Sequence, residues 1–135
     1  MRGLDTNVLV RYLAADDKKQ LAAAEQIIEE CRRNREPLFL SAIVLCELVS
    51  VLARAYDQPK SALVNALEQI LDMDLFHVEH DALVRRSLEA YRHGKGSFSD
   101  YLIGEISKHH GCRDVVTFDR VLKNSSGFKL LESRS

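Results

Sequence analysis

Short apolar runs alternate along the chain with longer segments whose apolar residues recur at helical spacing, and this alternation constrains the fold most. The runs predicted as strands are the stretch that ends at Asp5 and residues 38–40, 75–78, 114–118 and 128–131. Between them, apolar side chains three and four residues apart predict helices, as in residues 17–33. Strands separated by helices are typical of parallel βαβ units with helices on both faces of the sheet. We therefore predict an α/β fold, a three-layer α/β/α sandwich around a parallel sheet of four or five strands.

Residues with strong positional preferences mark the ends of several predicted helices. Ser41 is the predicted N-cap of the helix that follows the second strand. Pro59 opens the next helix, because proline is tolerated in the first turn. Ser97 or Ser99 caps a later helix that ends at Gly111, where glycine suits the left-handed conformation of a helix C-terminus.

The length and charge of the chain limit the kind of partner it can have. A length of 135 residues is that of one domain, so residues 1–135 are predicted to form a single domain. With 19 Lys and Arg against 20 Asp and Glu, the formal net charge is −1. Because a basic footprint over the whole surface is absent, a nucleic-acid partner would have to meet a local basic patch.

The cysteines and the N-terminal residues indicate the compartment. The chain has three cysteines, Cys31, Cys46 and Cys112. They are widely spaced and fit no disulfide framework or zinc motif, which indicates a reducing cytosol. The start, Met1-Arg2-Gly3-Leu4-Asp5, has a charge where a signal peptide needs its apolar stretch. The apolar segment 42–53 is interrupted by Glu47 and is too short to cross a bilayer. We predict a cytoplasmic protein.

Three acids are candidates for a functional site. Two lie at the ends of predicted strands, and one lies in an apolar helix, where an acid is unexpected. Asp5 ends the first predicted strand and Asp119 follows the fourth, and ligands of such sheets bind outside the carboxyl ends of the strands. Glu47 lies in a helix that is apolar almost all round, so we predict that it is buried. A buried carboxylate stays charged only beside a cation or a paired arginine. The alternative is that Glu47 lies on a narrow stripe exposed to solvent or pairs with a nearby arginine.

A fourth acid, Asp100, has a purely structural alternative, and so do two of the others. Ser97-Phe98-Ser99-Asp100 matches a capping box, in which the acid bonds back to the N-cap residue. Asp5 matches the N-cap of the first helix, and Asp119 matches the start of a turn. Taken together, the four acids favour a metal site. A set of carboxylates without His or Cys suits Mg²⁺ or Mn²⁺ rather than zinc.

At these residues the sequence resembles the PIN-domain family, and within it the branch of VapC-like toxins. The opening Leu4-Asp5-Thr6-Asn7-Val8-Leu9 is similar to the first family motif. Glu47 in Leu45-Cys46-Glu47-Leu48 matches the second acid, on an apolar helix after the second strand. Phe98-Ser99-Asp100-Tyr101-Leu102-Ile103 and Val116-Thr117-Phe118-Asp119 match the third and fourth. The resemblance extends in order from Leu4 to Leu131.

The resemblance implies both an architecture and an activity. It implies a PIN-like sheet of strand order 3-2-1-4-5, which brings Asp5, Glu47, Asp100 and Asp119 into one cleft as catalytic residues and metal ligands. It also implies Mg²⁺, for which Mn²⁺ substitutes, and cleavage of single-stranded RNA by a homodimer. For the toxin branch it implies the toxin of a type II toxin–antitoxin pair, inhibited by a cognate antitoxin.

Further residues are predicted to support this chemistry. The side chains predicted to hydrogen-bond the carboxylates or the scissile phosphate are Thr6, Asn7, Ser99 and Thr117. The side chains predicted to form a basic rim that binds RNA are Arg11, Arg92 and Lys95. Few aromatic residues are expected to be free for stacking on bases.

Two other functions remain open from the sequence. Phosphatases of the haloacid-dehalogenase type also carry an Asp-containing motif after the first strand, but Asn7 stands where their second acid is required. A receiver domain is disfavoured because its phosphoacceptor Asp should end the third strand. The remaining alternative is a non-catalytic module on the same fold that binds RNA or protein.

Overall fold

The computed structural model describes residues 1–134, which contain six α-helices, one 3₁₀-helix and five strands. In chain order these are β1 (Arg2–Gly3), α1 (Thr6–Ala14), α2 (Lys18–Arg33), β2 (Leu38–Leu40), α3 (Ala42–Arg54), α4 (Lys60–Asp72), β3 (Phe76–Val78), α5 (Asp81–His93), α6 (Phe98–His109), β4 (Val115–Thr117), the 3₁₀-helix (Arg120–Leu122) and β5 (Phe128–Leu130). Contacts divide the chain into two compact units, Met1–Asp81 and the part from Ala82 onward. Among residues 1–134, no helix has the length and apolar character needed to cross a membrane.

The first unit contains a parallel sheet of order β1-β2-β3. Leu38 pairs with Arg2 on one side and with Phe76 on the other. Side chains alternate between the faces of a strand. One face of β2 and β3 is therefore buried through Leu38, Leu40, Phe76 and Val78. The other face carries Phe39 and His77, whose ring centroids lie 6.1 Å apart.

Four helices complete this unit. Helix α1 contacts α2 and α3, α3 contacts α4, and α4 contacts β3. Each helix contributes a buried apolar stripe, represented by Leu9, Ile28, Leu45 and Leu67, of which at most 2% is exposed. Burying one such side chain stabilises the fold by about 1.5–3 kcal/mol, so these stripes hold the helices in place.

The second unit contains α5, α6, the 3₁₀-helix and the parallel pair β4-β5, in which Val115 pairs with Phe128. Phe98 is completely buried and meets Tyr91 edge to face, with centroids 6.2 Å apart. Gly94 links α5 to the following loop. A Cβ atom there would come within 1.8 Å of the Tyr101 hydroxyl oxygen, so the close approach of this ring requires glycine.

The predicted fold class is confirmed, since the protein is a mixed α/β structure with parallel strands. The neighbours 3-2-1 and 4-5 of the predicted order are present. Pairing of β1 with β4 and the single-domain organisation of residues 1–135 stay predictions. The predicted helix ends are also confirmed, since Ser41 and Ser97 are N-caps and Gly111, with φ +86°, follows the end of α6.

Candidate functional site

Asp5 lies between β1 and α1 and is exposed. The Leu4 amide donates to the Phe39 carbonyl at 3.1 Å, which continues the pairing with β2 up to the residue before Asp5. The Thr6 amide donates to Asp5 Oδ1 at 2.8 Å, and Asp5 is the N-cap of α1. The sequence therefore places this carboxylate just past the carboxyl end of β1, where the chain turns into a helix.

Thr6 connects Asp5 with Glu47. The Thr6 hydroxyl donates to Glu47 Oε2 at 3.3 Å, while its amide is bonded to Asp5. Only 4% of Thr6 is exposed, so packing holds the hydroxyl in place. Helices α1 and α3 are in contact, and one buried threonine bonds two carboxylates that lie 42 residues apart along the chain.

The prediction that Glu47 is buried is wrong. Glu47 is exposed, and Ile43, one turn earlier on the same face of α3, is 69% exposed. The buried side of α3 consists of residues such as Leu45, Leu48 and Leu52. The alternative, that Glu47 lies on a stripe exposed to solvent, is confirmed. An apolar sequence around a helix does not by itself define which residues are covered. Because Glu47 is exposed, its charge does not require a cation beside it.

Asp100 forms the predicted capping box at the start of α6. The Asp100 amide donates to Ser97 Oγ at 3.1 Å, and the Ser97 amide donates to Asp100 Oδ2 at 2.9 Å. The side chain is half-buried. Its negative charge also lies in the first turn, where the helix dipole favours it.

Asp119 caps the 3₁₀-helix, as its turn position predicted. The Val121 amide donates to Asp119 Oδ1 at 3.0 Å, and the Asp119 amide donates to Thr117 Oγ1 at 3.0 Å. Asp119 is exposed and follows β4 by two residues. The predicted partner Thr117 thus orients the backbone of Asp119.

The three aspartates share one arrangement. Each uses one carboxylate oxygen to accept a backbone amide, namely Oδ1 of Asp5, Oδ2 of Asp100 and Oδ1 of Asp119. Within residues 1–134 the second oxygen of each accepts no hydrogen bond. A carboxylate has about four acceptor sites, so capping orients the group and still leaves an oxygen that can bind a hard cation. Capping and metal binding are therefore compatible roles.

The donor chemistry of these acids fits Mg²⁺, which takes oxygen ligands and keeps several of its waters. Across the described residues 1–134, however, no three His, Cys, Asp or Glu side chains form a group that could hold a metal ion. The assignment of Asp5, Glu47, Asp100 and Asp119 as catalytic residues and metal ligands stays a prediction.

Comparison with known proteins identifies the family. The model of the PIN domain matches residues 4–126, which is most of the chain and includes all four acids. The chain belongs to the PIN-domain family. It is also similar to VapC ribonuclease of Aquifex aeolicus (strain VF5), with 34% identity over 129 residues. That alignment covers 96% of this chain and 94% of the relative.

The other predicted hydroxyl and amide groups of the PIN domain have different surroundings. Asn7 is exposed in the first turn of α1. Ser99 Oγ lies 3.0 Å from Ser97 Oγ and so contacts the capping residue of α6. Of the four predicted supporting side chains, Thr6 is the one whose hydroxyl bonds a predicted catalytic carboxylate within residues 1–134.

The three side chains predicted to form the basic rim of the PIN domain differ in how far they are already bonded to other residues. Arg92 pairs with Glu89 at 3.2 Å, and Lys95 is exposed between two glycines. Arg11 donates from Nη1 to Tyr56 Oη at 2.7 Å and to Asp16 at 3.2 Å. The Arg11 guanidinium is bonded inside the first unit, whereas Lys95 is more exposed than Arg11.

The contacts of Arg11 form a network that the sequence did not predict. Tyr56, beyond the end of α3, donates to Asp16 Oδ2 at 2.7 Å. This bond lowers the pKa of the Asp16 carboxyl and raises the pKa of the Tyr56 hydroxyl. The network ties the turn between α1 and α2 to the end of α3. Arg11 also bonds Gln20 of α2 and so braces these helices.

Proposed function

We propose that this PIN domain is an endoribonuclease that hydrolyses phosphodiester bonds in single-stranded RNA, and that it is the toxin of a type II toxin–antitoxin pair. The observation that carries the proposal is the Thr6 bridge, which bonds the carboxylates of Asp5 and Glu47. Thr6 thereby orients two of the four acids that the PIN-domain motifs imply as metal ligands. The relative named VapC ribonuclease, aligned over 96% of this chain, supports the same activity.

We propose Mg²⁺ as the cofactor, with Mn²⁺ as a substitute, held by Asp5, Glu47, Asp100 and Asp119. A bound metal ion of this kind lowers the pKa of a water and neutralises charge on the reacting phosphate. The chain itself contributes orientation. The Thr6 hydroxyl directs Glu47, and backbone amides direct the three aspartates through their caps. Preoriented ligands lose less conformational freedom when a cation binds.

The proposed partners follow from the same assignment. Single-stranded RNA is the substrate, and Lys95 and Arg92 in the segment before α6 are the proposed phosphate contacts, with Arg11 as a third. A cognate antitoxin and a homodimer are proposed on the resemblance to VapC-like toxins, and a cytoplasmic location on the unpaired cysteines.

The test compares wild type with Asp5→Asn on a single-stranded oligoribonucleotide, with Mg²⁺ and with EDTA. Asparagine is as good an N-cap as aspartate, so helix α1 keeps its cap while the charge is lost. The matched control is Asp17→Asn, which makes the same change at the N-cap of α2, outside the proposed catalytic set. We expect cleavage by wild type and by Asp17→Asn with Mg²⁺, and no cleavage by Asp5→Asn or with EDTA.

Four outcomes would contradict this proposal or part of it. If folded wild type cuts nothing with Mg²⁺ or Mn²⁺, the nuclease assignment is wrong, and if Asp5→Asn cuts as well as wild type, Asp5 has no catalytic role. RNA binding that is insensitive to EDTA and to loss of the acids, without cleavage, would favour a non-catalytic module. Hydrolysis of a phosphomonoester while oligoribonucleotides remain intact would favour a phosphatase.

A further inference from the structure

The two-stranded sheet of the second unit leaves one face exposed. Val116 of β4 is 57% exposed, and Phe118, two residues further along the same side, is 67% exposed. The register pairs Val116 with Lys129 of β5, which is exposed as well. The next residue on that side of β5, Leu131, is 37% exposed. These four residues, Val116, Phe118, Lys129 and Leu131, are here called the open face.

Phe118 is the most unusual member of the open face. Burying a phenyl ring contributes about 1.5–3 kcal/mol to stability, and Phe98 of the same unit is fully buried. The Phe118 ring remains in solvent although it directly precedes Asp119, one of the proposed catalytic acids. An exposed aromatic ring beside a proposed catalytic acid is available to stack on a planar group of a ligand.

Several cationic residues lie close to Phe118 along the chain or across the strand register. Arg120 and Lys123 are exposed on and after the 3₁₀-helix that Asp119 caps, and Lys129 lies on the open face. An aromatic ring among cations is the combination that binds single-stranded nucleic acid, in which the ring stacks on a base and the cations contact phosphates. Exposed cations outnumber exposed acids in residues 116–132, with Arg120, Lys123 and Lys129 against Asp119 and Glu132, and this favours a polyanion over a second copy of the chain as the occupant.

We propose that Phe118 stacks on an unpaired base of the RNA substrate, next to Asp119, while Arg120 and Lys123 contact the flanking phosphates. The inference rests on the proposed ribonuclease function and adds to it a substrate-positioning residue. Phe118 is then one of the few aromatic side chains that the sequence left available for stacking on bases.

The test measures the binding of a fluorescently labelled single-stranded oligoribonucleotide in EDTA, where the metal-dependent cleavage proposed here does not proceed. Phe118→Leu keeps an apolar side chain but removes the ring, and should weaken binding by about 5- to 150-fold, the factor that corresponds to base stacking. Phe118→Tyr keeps the ring and should bind within about 3-fold of wild type. Ile103→Ala, which removes another exposed apolar side chain from the same unit, should leave binding unchanged.

A substrate change isolates the stacking contact. Oligoribonucleotides that carry a single abasic site at successive positions should include one for which wild type and Phe118→Leu bind equally well. Lys123→Ala should weaken binding to all sequences alike and reduce its dependence on salt.

The outcomes separate this inference from the proposed function. If wild type cuts RNA and Phe118→Leu binds it as tightly as wild type does, stacking is refuted and the nuclease stands. If Phe118→Leu changes the sedimentation of the protein but not its RNA binding, the open face is an interface between copies, and the inference is wrong. If wild type neither binds nor cuts RNA, the proposed function itself fails.

Discussion

Replacing Asp100 by asparagine and by alanine separates the two roles that this side chain can have at the start of α6. One capping-box bond, from the Asp100 amide to Ser97 Oγ, belongs to the backbone of residue 100 and survives both changes. The second bond, from the Ser97 amide to Asp100 Oδ2 at 2.9 Å, survives in asparagine and is lost in alanine. Asparagine therefore removes the negative charge alone, whereas alanine removes the charge and the second capping-box bond.

The expected energies follow from these bonds. Loss of one such hydrogen bond costs about 1 kcal/mol, and loss of a favourable charge in the first turn about 0.3–1 kcal/mol. Asp100→Asn should thus lower the free energy of unfolding by about 0.5 kcal/mol, and Asp100→Ala by about 1.5 kcal/mol. For a chain of this size each kcal/mol corresponds to about 4 °C in Tm. Thermal unfolding followed by circular dichroism resolves the difference between the two variants.

The rate of RNA cleavage should respond to these two substitutions differently from the free energy of unfolding. Even residues that only support metal ligands cost about 10- to 100-fold when they are lost, so a ligand should cost at least about 100-fold. If Asp100 binds the metal, both variants lose cleavage of single-stranded RNA to this extent, although their Tm values differ. The controls Asp17→Asn and Asp17→Ala make the same two substitutions at the N-cap of α2 and should affect stability only. Cleavage by Asp100→Asn within about 3-fold of wild type would refute the reasoning and leave Asp100 as a cap.

Three further predictions concern Thr6, the Arg11 network and a strained turn. Thr6→Val, which loses the hydroxyl bonded to Glu47, should slow cleavage by about 3- to 10-fold, as expected for about 1 kcal/mol of lost orientation; Thr6→Ser should restore the rate. Wild type should have a higher Tm than Tyr56→Phe between about pH 4 and about pH 10. This advantage should shrink below that range as Asp16 protonates through its lowered pKa, and above it as Tyr56 ionises through its raised pKa. Ala15→Gly should raise Tm by about 2–4 °C, because Ala15 has φ 54° at the C-cap of α1 and glycine adopts this conformation without strain.

Each of these predictions can be contradicted by one comparison. Cleavage by Thr6→Val at the wild-type rate would show that the hydroxyl bond to Glu47 does not matter, and slower cleavage by Thr6→Ser than by Thr6→Val would show that the methyl group matters instead. A Tm difference between wild type and Tyr56→Phe that is independent of pH would show that the ionised network is not its cause. A lower Tm for Ala15→Gly would mean that the entropy of the unfolded chain outweighs the relief of backbone strain.

The sequence determined by itself those features that depend on residues close along the chain. Capping is local, because an N-cap side chain bonds an amide two or three positions ahead, so Ser41, Ser97 and Asp119 were identifiable from their spacing. The alternation of apolar runs and helical patterns likewise predicted parallel strands, and the ordered acidic motifs indicated the PIN-domain family before any coordinates.

Only the tertiary structure decided which surfaces are covered and which distant side chains meet. Glu47 lies in an apolar sequence and is nevertheless exposed, because burial depends on what packs against a helix and not on the helix itself. The Thr6 bond to Glu47 and the Tyr56 bond to Asp16 join residues about 40 positions apart, and local spacing carries no information about them. Phe118 is exposed for the same reason, since the sequence that forms a strand does not specify whether a partner covers its outer face.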